Sequence, residues 1–202
     1  MNRSIDFFEA QFQSQTRAGQ FALNPFETLA LPYVSGRTLD LGCGLGNLAI
    51  EAAKRGCSVV ALDASPTAIA HLRQTAASAR LPIHAELADL TRYRIAVTYE
   101  TIVAIGLLMF FAKERADELL DDIKSHVEPG GHAIINTLIE GTTYTDMFAP
   151  GHHCLFTEPE LHARFEGWTL REFKLQRFEA PRSTVKAFAT VVARRTGEAS
   201  AA

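Results

Sequence analysis

Residues 37–47 read Arg37-Thr38-Leu39-Asp40-Leu41-Gly42-Cys43-Gly44-Leu45-Gly46-Asn47. An apolar run ends in an acid and passes through three alternate glycines, after which residues 47–55 have helical composition up to Gly56. The pattern predicts a buried parallel strand over 37–41, a tight turn, and a helix closed by Gly56. Gly42, Gly44 and Gly46 leave the turn without Cβ atoms, so its main chain can take positive φ and lie against a ligand. Such a turn sits at the carboxyl end of a strand, where open α/β sheets bind ligands. Spacing narrows the ligand. A dinucleotide fingerprint requires its third glycine at position 47, which is Asn47, so a nicotinamide oxidoreductase fits poorly. The form D-x-G-x-G-x-G instead places Asp40 beside the turn, where its charge attracts a cationic amino group and repels a pyrophosphate.

Working outward, residues 58–63 form a second apolar run ending in Asp63, roughly 20 residues beyond the glycine turn, where a carboxylate accepts both hydroxyls of a ribose. Ser65-Pro66 opens a second helix, with the serine as N-cap. A third strand over 82–86 leads into Ala88-Asp89-Leu90. Residues 100–105 supply a fourth strand, and 113–127 a helix with Leu119, Leu120, Ile123 and Val127 on one face, ended by Pro129-Gly130-Gly131. A fifth strand spans 132–138, a short helix starts at Thr157-Glu158-Pro159, and two late strands near 168–177 and 185–193 have no helix between them. The alternation predicts an α/β fold with a doubly wound, mostly parallel sheet and an antiparallel C-terminal edge hairpin. Taken singly, Asp63 and Asp89 also read as strand-end caps or solvated loop acids. Three acids at three successive strand ends are hard to obtain that way.

The chain has 202 residues, 47% hydrophobic and 21% charged, which supports one substantial core and falls short of two ordinary domains. One domain is expected over 1–195, with 196–202 a flexible tail. A formal charge of -3 carries no footprint for nucleic acid. Cys43, Cys57 and Cys154 show neither a disulfide framework nor a zinc ribbon, which suits a reducing cytosol. The opening Met1-Asn2-Arg3-Ser4-Ile5-Asp6 is polar, and the apolar stretch 102–112 is shorter than the roughly 18 to 20 residues that span a bilayer. A cytoplasmic protein with a small-molecule partner, no nucleic acid and no membrane is expected; the oligomeric state stays open.

The glycine turn resembles motif I of the class I S-adenosylmethionine-dependent methyltransferases, whose ligand carries an ammonium and a sulfonium. Over nearly the whole chain the pattern is similar to the tellurite-resistance methyltransferase family. The resemblance rests on Leu107-Leu108-Met109-Phe110-Phe111, Pro129-Gly130-Gly131, the run Phe156 to Leu161, Phe165-Glu166-Gly167-Trp168 and Phe188-Ala189-Thr190. It implies a Rossmann-like seven-stranded sheet and S-adenosyl-L-methionine as cofactor. It also implies a cofactor site made of Asp40, Gly42, Cys43, Gly44 and Gly46, of Asp63 with Ala64, of Asp89 on the adenine amino group with the Leu90 N–H reaching the ring, and of Ile105. Arg17, in Thr16-Arg17-Ala18-Gly19, would face the methionine carboxylate, or else is an ordinary surface arginine. One departure stands out. Family members tend to carry a His-Arg pair ahead of the last strand, and this chain has Pro181-Arg182 and a shortened connection, leaving Arg182 as the candidate for an anion-facing role.

No carboxylate pair and no Ser/His/Asp arrangement marks the acceptor side, which favours a small acceptor that is already nucleophilic. Residues 139–156 and the N-terminal segment 1–30, with Phe7, Phe8 and Phe12, are candidate lids; the phenylalanines equally suit packing of a helix on the sheet. His152, His153 and Phe156 are candidates for the acceptor pocket. No metal is expected at His152-His153-Cys154, since adjacent side chains do not usually face one ion. The function expected is methyl transfer to a tellurite- or selenite-like oxyanion or a thiol. The alternatives are a non-catalytic S-adenosylmethionine-binding module and a methyltransferase of another small molecule.

Overall fold

The computed structural model describes residues 3–148 and 152–197. In chain order the elements are α1 (Arg3–Ala18), α2 (Pro25–Ala30), β1 (Arg37–Leu41), α3 (Asn47–Lys54), β2 (Ser58–Asp63), α4 (Pro66–Ala79) and β3 (Ile83–Leu87). After these come β4 (Tyr99–Ile105), α5 (Lys113–His126), β5 (Val127–Leu138), α6 (Glu158–Arg164), β6 (Thr169–Ala180) and β7 (Thr184–Arg194). The seven strands form one sheet in the order β3-β2-β1-β4-β5-β7-β6. β1 to β5 pair in parallel, and β7 runs antiparallel between β5 and β6, as the sequence pattern predicts.

Side-chain alternation sorts the strands between two apolar layers. Leu39, Leu41, Ile102, Ala104 and Ile135 pack with Leu119, Leu120 and Ile123 of α5 and with Leu161 of α6. Val59, Ala61, Val103 and Ile134 point the other way, onto Ala49 and Ala53 of α3 and Ile69 and Leu72 of α4. Burying each large side chain stabilises the fold by about 1.5–3 kcal/mol, which holds the helices in place on both faces. From β1 the chain winds outward through β2 and β3, then crosses to β4 and β5 on the other side. The connections leaving β1 and β4 therefore diverge and open a crevice at their carboxyl ends.

One boundary differs from expectation. α5 stops at His126, and Pro129-Gly130-Gly131 lies inside the start of β5 instead of closing the helix. The cause is strand pairing: the Gly130 N–H donates to the Arg195 carbonyl at 2.9 Å and the Arg195 N–H to that of Gly131 at 2.8 Å. A Cβ on Gly131 would lie 2.4 Å from the Glu100 carbonyl oxygen, so only glycine lets β5 close on β4 there. The late strands are longer than expected and meet through a single turn at Pro181–Ser183. Part of the candidate lid (149–151) and most of the expected tail (198–202) lie outside the described residues. No helix among the described residues is long and apolar enough to cross a membrane.

Candidate functional site

The glycine turn is stitched to the neighbouring strand. The N–H groups of Gly42 and Cys43 both donate to the Leu62 carbonyl, at 2.8 and 3.0 Å. The Gly44 N–H donates to Asp63 Oδ2 and the Ser65 N–H to Asp63 Oδ1, each at 2.8 Å. Asp63 is thus fixed by main chain on both oxygens, and each oxygen keeps a lone pair for a further donor. Gly46, at φ +76°, caps α3, and a Cβ there would stand 2.5 Å from Leu72 Cδ1. That glycine lets the turn lie against α4.

The turn forms one wall of a cavity of about 500 Å³. Among the described residues its charged lining consists of four acids, Glu27, Asp40, Asp63 and Asp89, and one cation, Lys186. Asp40 is 5% exposed, and burial, reinforced by the charges of Glu27 and Asp63, pushes its carboxyl up to about 8. Burial likewise raises Glu27 and Asp63, the latter against the hydrogen bonds from Ser65 and Gly44. Asp89 is exposed and behaves oppositely: the Thr91 hydroxyl and N–H donate to its Oδ1 at 2.6 and 3.0 Å and hold its carboxyl low. A desolvated acidic cluster with no ion-pair partner among the described residues favours a cationic ligand, whose charge would restore the ionised forms.

Over this wall lies α1. The hydroxyls of Ser65 and Thr67, at the start of α4, donate to the Glu9 carboxylate, the first at 2.5 Å. Phe12 covers the turn, 3.2 Å from where a Gly44 Cβ would stand. Aromatic rings then continue across the opening. Phe8 meets Phe110 edge-on at 5.1 Å, Phe110 meets Phe148 at 5.3 Å, and His153 stacks on Phe148 at 4.8 Å.

Of the residues singled out in the sequence, the cavity wall brings together Asp40, Gly42, Cys43, Gly44, Asp63, Ala64, Asp89, Leu90 and Ile105. Gly46 stands behind the wall. Burial pushes the Cys43 thiol well above its ordinary range, so it packs and does not act as a thiolate. Arg17 is exposed in the last turn of α1, outside the lining, where it complements the carboxyl end of the helix. The four acceptor candidates also fall outside the lining. Phe156 is fully buried in the α5–α6 core with the Lys113 ammonium 4.8 Å over its ring. Arg182 is exposed on the β6–β7 turn and paired with Asp146. His153 sits one ring back, behind Phe148, and His152 is exposed.

The lining also holds residues that the sequence reading missed: Glu27 and Phe26 of α2, Asn136 of β5, and Lys186 and Phe188 of β7. α2 was detectable, since Asn24-Pro25-Phe26-Glu27 spells a capping box that forms as such. Asn136 interrupts the apolar run Ala133-Ile134-Ile135, and a polar residue in a buried strand is itself a signal. Lys186 carries none, because a lone lysine in an alternating strand reads as solvent-facing.

A family model described as "Tellurite resistance protein TehB" matches residues 3–183. "Hemagglutinin 1" of Eikenella corrodens is 31% identical over 141 residues, 68% of this chain and 45% of that protein. The "Probable S-adenosyl-L-methionine-dependent methyltransferase TehB" of Haemophilus influenzae is 28% identical over 166 residues, 79% of this chain and 57% of that protein. The chain thus spans about half the length of these curated relatives. The crystal structure of TehB from Haemophilus influenzae shares the fold, with a TM-score of 0.76 at 24% identity over 96% of this chain and 67% of that one.

Proposed function

The chain belongs to the TehB tellurite-resistance family of S-adenosylmethionine-dependent methyltransferases, and from that premise we propose methyl transfer to a small soft or anionic acceptor. The acceptor class is a tellurite- or selenite-like oxyanion or a thiol. The observation that carries this reading is the polarity of the cavity among the described residues: acids without an ion-pair partner at the tips of β1 and β2, and one lysine among thioethers and rings at the other end.

The residues at the acidic end suit the cofactor. Asp63, already oriented by two N–H donors, has lone pairs left for ribose hydroxyls, and Gly44 presents bare main chain beside it. Asp40 and Glu27 would balance the ammonium and sulfonium charges, and Asp89 would accept from the adenine amino group. When bound, the cofactor supplies a methyl group on a positively charged sulfur; an acceptor lone pair bonds to that carbon as the C–S electron pair returns to sulfur. The chain contributes placement, which can supply roughly 7 to 11 kcal/mol of a barrier when reacting atoms are held about 3 to 3.5 Å apart. It also excludes water, through Phe8, Phe12 and Phe110 over the opening. In this reading the described parts of segments 1–30 and 139–155 serve as lids of a single unit. Met109, Met147, Phe110 and Phe188 offer no proton acceptor, so the acceptor brings its own lone pair.

The test is conversion of methyl-labelled cofactor to S-adenosylhomocysteine across selenite, tellurite and a thiol panel. Turnover with an oxyanion or thiol is expected. Tight cofactor binding with no turnover on any of them would replace this reading with that of a non-catalytic binding module.

A further inference from the structure

Two polar atoms at the acceptor end, an amide oxygen and an ammonium nitrogen, have neither a hydrogen-bond nor an ion-pair partner among the described residues. Asn136 is fully buried on β5 and lines the cavity. Its Nδ2 donates to the Thr190 hydroxyl at 2.9 Å and faces the Ala189 carbonyl at 3.4 Å. A carbonyl only accepts, which sets the amide's orientation and leaves Oδ1 buried with no hydrogen-bond partner among the described residues. An acceptor atom in that state destabilises the fold unless a ligand donates to it. Lys186, on β7, is the one cation lining the cavity among the described residues. The Tyr144 ring lies 4.5 Å from its ammonium, and burial lowers its basicity.

The ladder places these groups on one face. Asn136 pairs with Thr190, and Lys186 and Phe188 precede Thr190 by four and two residues, so all three side chains project the same way. Four residues at about 3.3 Å each separate Lys186 from the level of Asn136 by about 13 Å. The lysine's four-carbon stem and one small molecule close that gap together.

We propose that Lys186 and Asn136 anchor the methyl acceptor, and that the acceptor is a small oxyanion that retains one hydroxyl. Its anionic oxygen accepts from the Lys186 ammonium and its hydroxyl donates to Asn136 Oδ1. The central atom, with its lone pair, is thereby held against Met109, Met147 and Phe188, whose soft thioether and ring surfaces suit a heavy, polarisable centre. A fully deprotonated dianion lacks the donor for Asn136, and an uncharged thiol lacks the anion for Lys186. This assignment rests on the methyl-transfer reading and narrows its acceptor class.

Protein saturated with S-adenosylhomocysteine, titrated calorimetrically with sodium selenite, tests it. Lys186→Met is expected to weaken selenite at least tenfold and Asn136→Ala at least threefold, Lys186→Arg to retain most of the affinity, and S-adenosylhomocysteine to bind each variant within twofold of wild type. Equal selenite affinity in wild type and Lys186→Met overturns the anchor, as does a parallel loss of both ligands, which would mark Lys186 as structural. Wild type that binds selenite through Lys186 yet forms no methylated product upholds the anchor and overturns methyl transfer to it. Wild type that methylates a thiol but binds no selenite overturns the anchor alone.

Discussion

The two ends of the cavity are built by different means. At the tips of β1 and β2 the lining rests on main chain: the N–H groups of Gly44 and Ser65 aim Asp63, and parallel register sets Asp40 opposite Ala61. At the ends of β5 and β7 it rests on side chains alone, with Lys186, Asn136, Met147 and Phe188 drawn from segments far apart in the chain. A backbone-built end is rigid and intolerant of change, whereas a side-chain-built end can be altered without disturbing its neighbour. The contrast predicts that substitutions at the first end couple stability to cofactor affinity, and that those at the second separate them.

The strongest test is pH. Asp40 titrates near 8 in the folded chain but near 3.9 when unfolded, so between those values the folded state holds a proton that the unfolded state lacks. Stability of the ligand-free protein should therefore fall as pH rises from about 4 to about 8, by up to about 1.4 kcal/mol per pH unit. Asp40→Asn should flatten the profile of thermal midpoint against pH, and Lys186→Met should not. Cofactor binding below pH 8 should release protons, seen as a binding enthalpy that depends on the buffer. A flat wild-type profile would mean that the acids at this end are already compensated.

Next in size is Gly46→Ala. The new Cβ would stand 2.5 Å from Leu72 in a left-handed residue, so a loss of about 2–4 kcal/mol is expected from backbone strain and overpacking together. Denaturant unfolding measures it. A loss below about 1 kcal/mol would show that α4 can shift, and the first end would then be less rigid than its hydrogen bonds suggest.

Asp63→Ala comes third. Removing the carboxylate strips ribose hydroxyls of a charged acceptor and frees the Gly44 and Ser65 N–H groups, so cofactor affinity should drop more than tenfold, about 1.4 kcal/mol or more. Calorimetry with unchanged affinity would remove Asp63 from the cofactor end.

The same contrast explains what could be read from the sequence. The strands, the glycine turn and the acids at 40, 63 and 89 are local patterns, each set by residues within a few positions of one another. Asn24 and Glu27 were local too, but a six-residue helix offers too little periodicity to draw notice. Lys186 and Asn136 come to share one face of the sheet only because β7 inserts antiparallel beside β5, a pairing between residues about fifty positions apart. Candidates chosen by residue type on the connection, such as Phe156 and His153, were claimed instead by the core and by ring stacking. The Pro129–Gly131 segment was misplaced because a breaker composition reads as helix end, while the ladder to Arg195 is invisible locally.

The smallest expected effect concerns the element joining the two ends. α1 touches the acidic end through Glu9 and the acceptor end through Phe8 on Phe110. Burial raises the Glu9 carboxyl, but the bonds from Ser65, Thr67 and Gln13 outweigh it and hold the group low, so the clasp stays ionised at neutral pH. Glu9→Ala removes the acceptor of two hydroxyl donors at a half-buried site, worth about 0.5–1.5 kcal/mol per bond. Cofactor affinity should weaken two- to fivefold, and amide exchange across residues 5–18 should quicken. If exchange quickens while affinity holds, the rings alone seat α1 over the cofactor, and the helix belongs with the side-chain-built end.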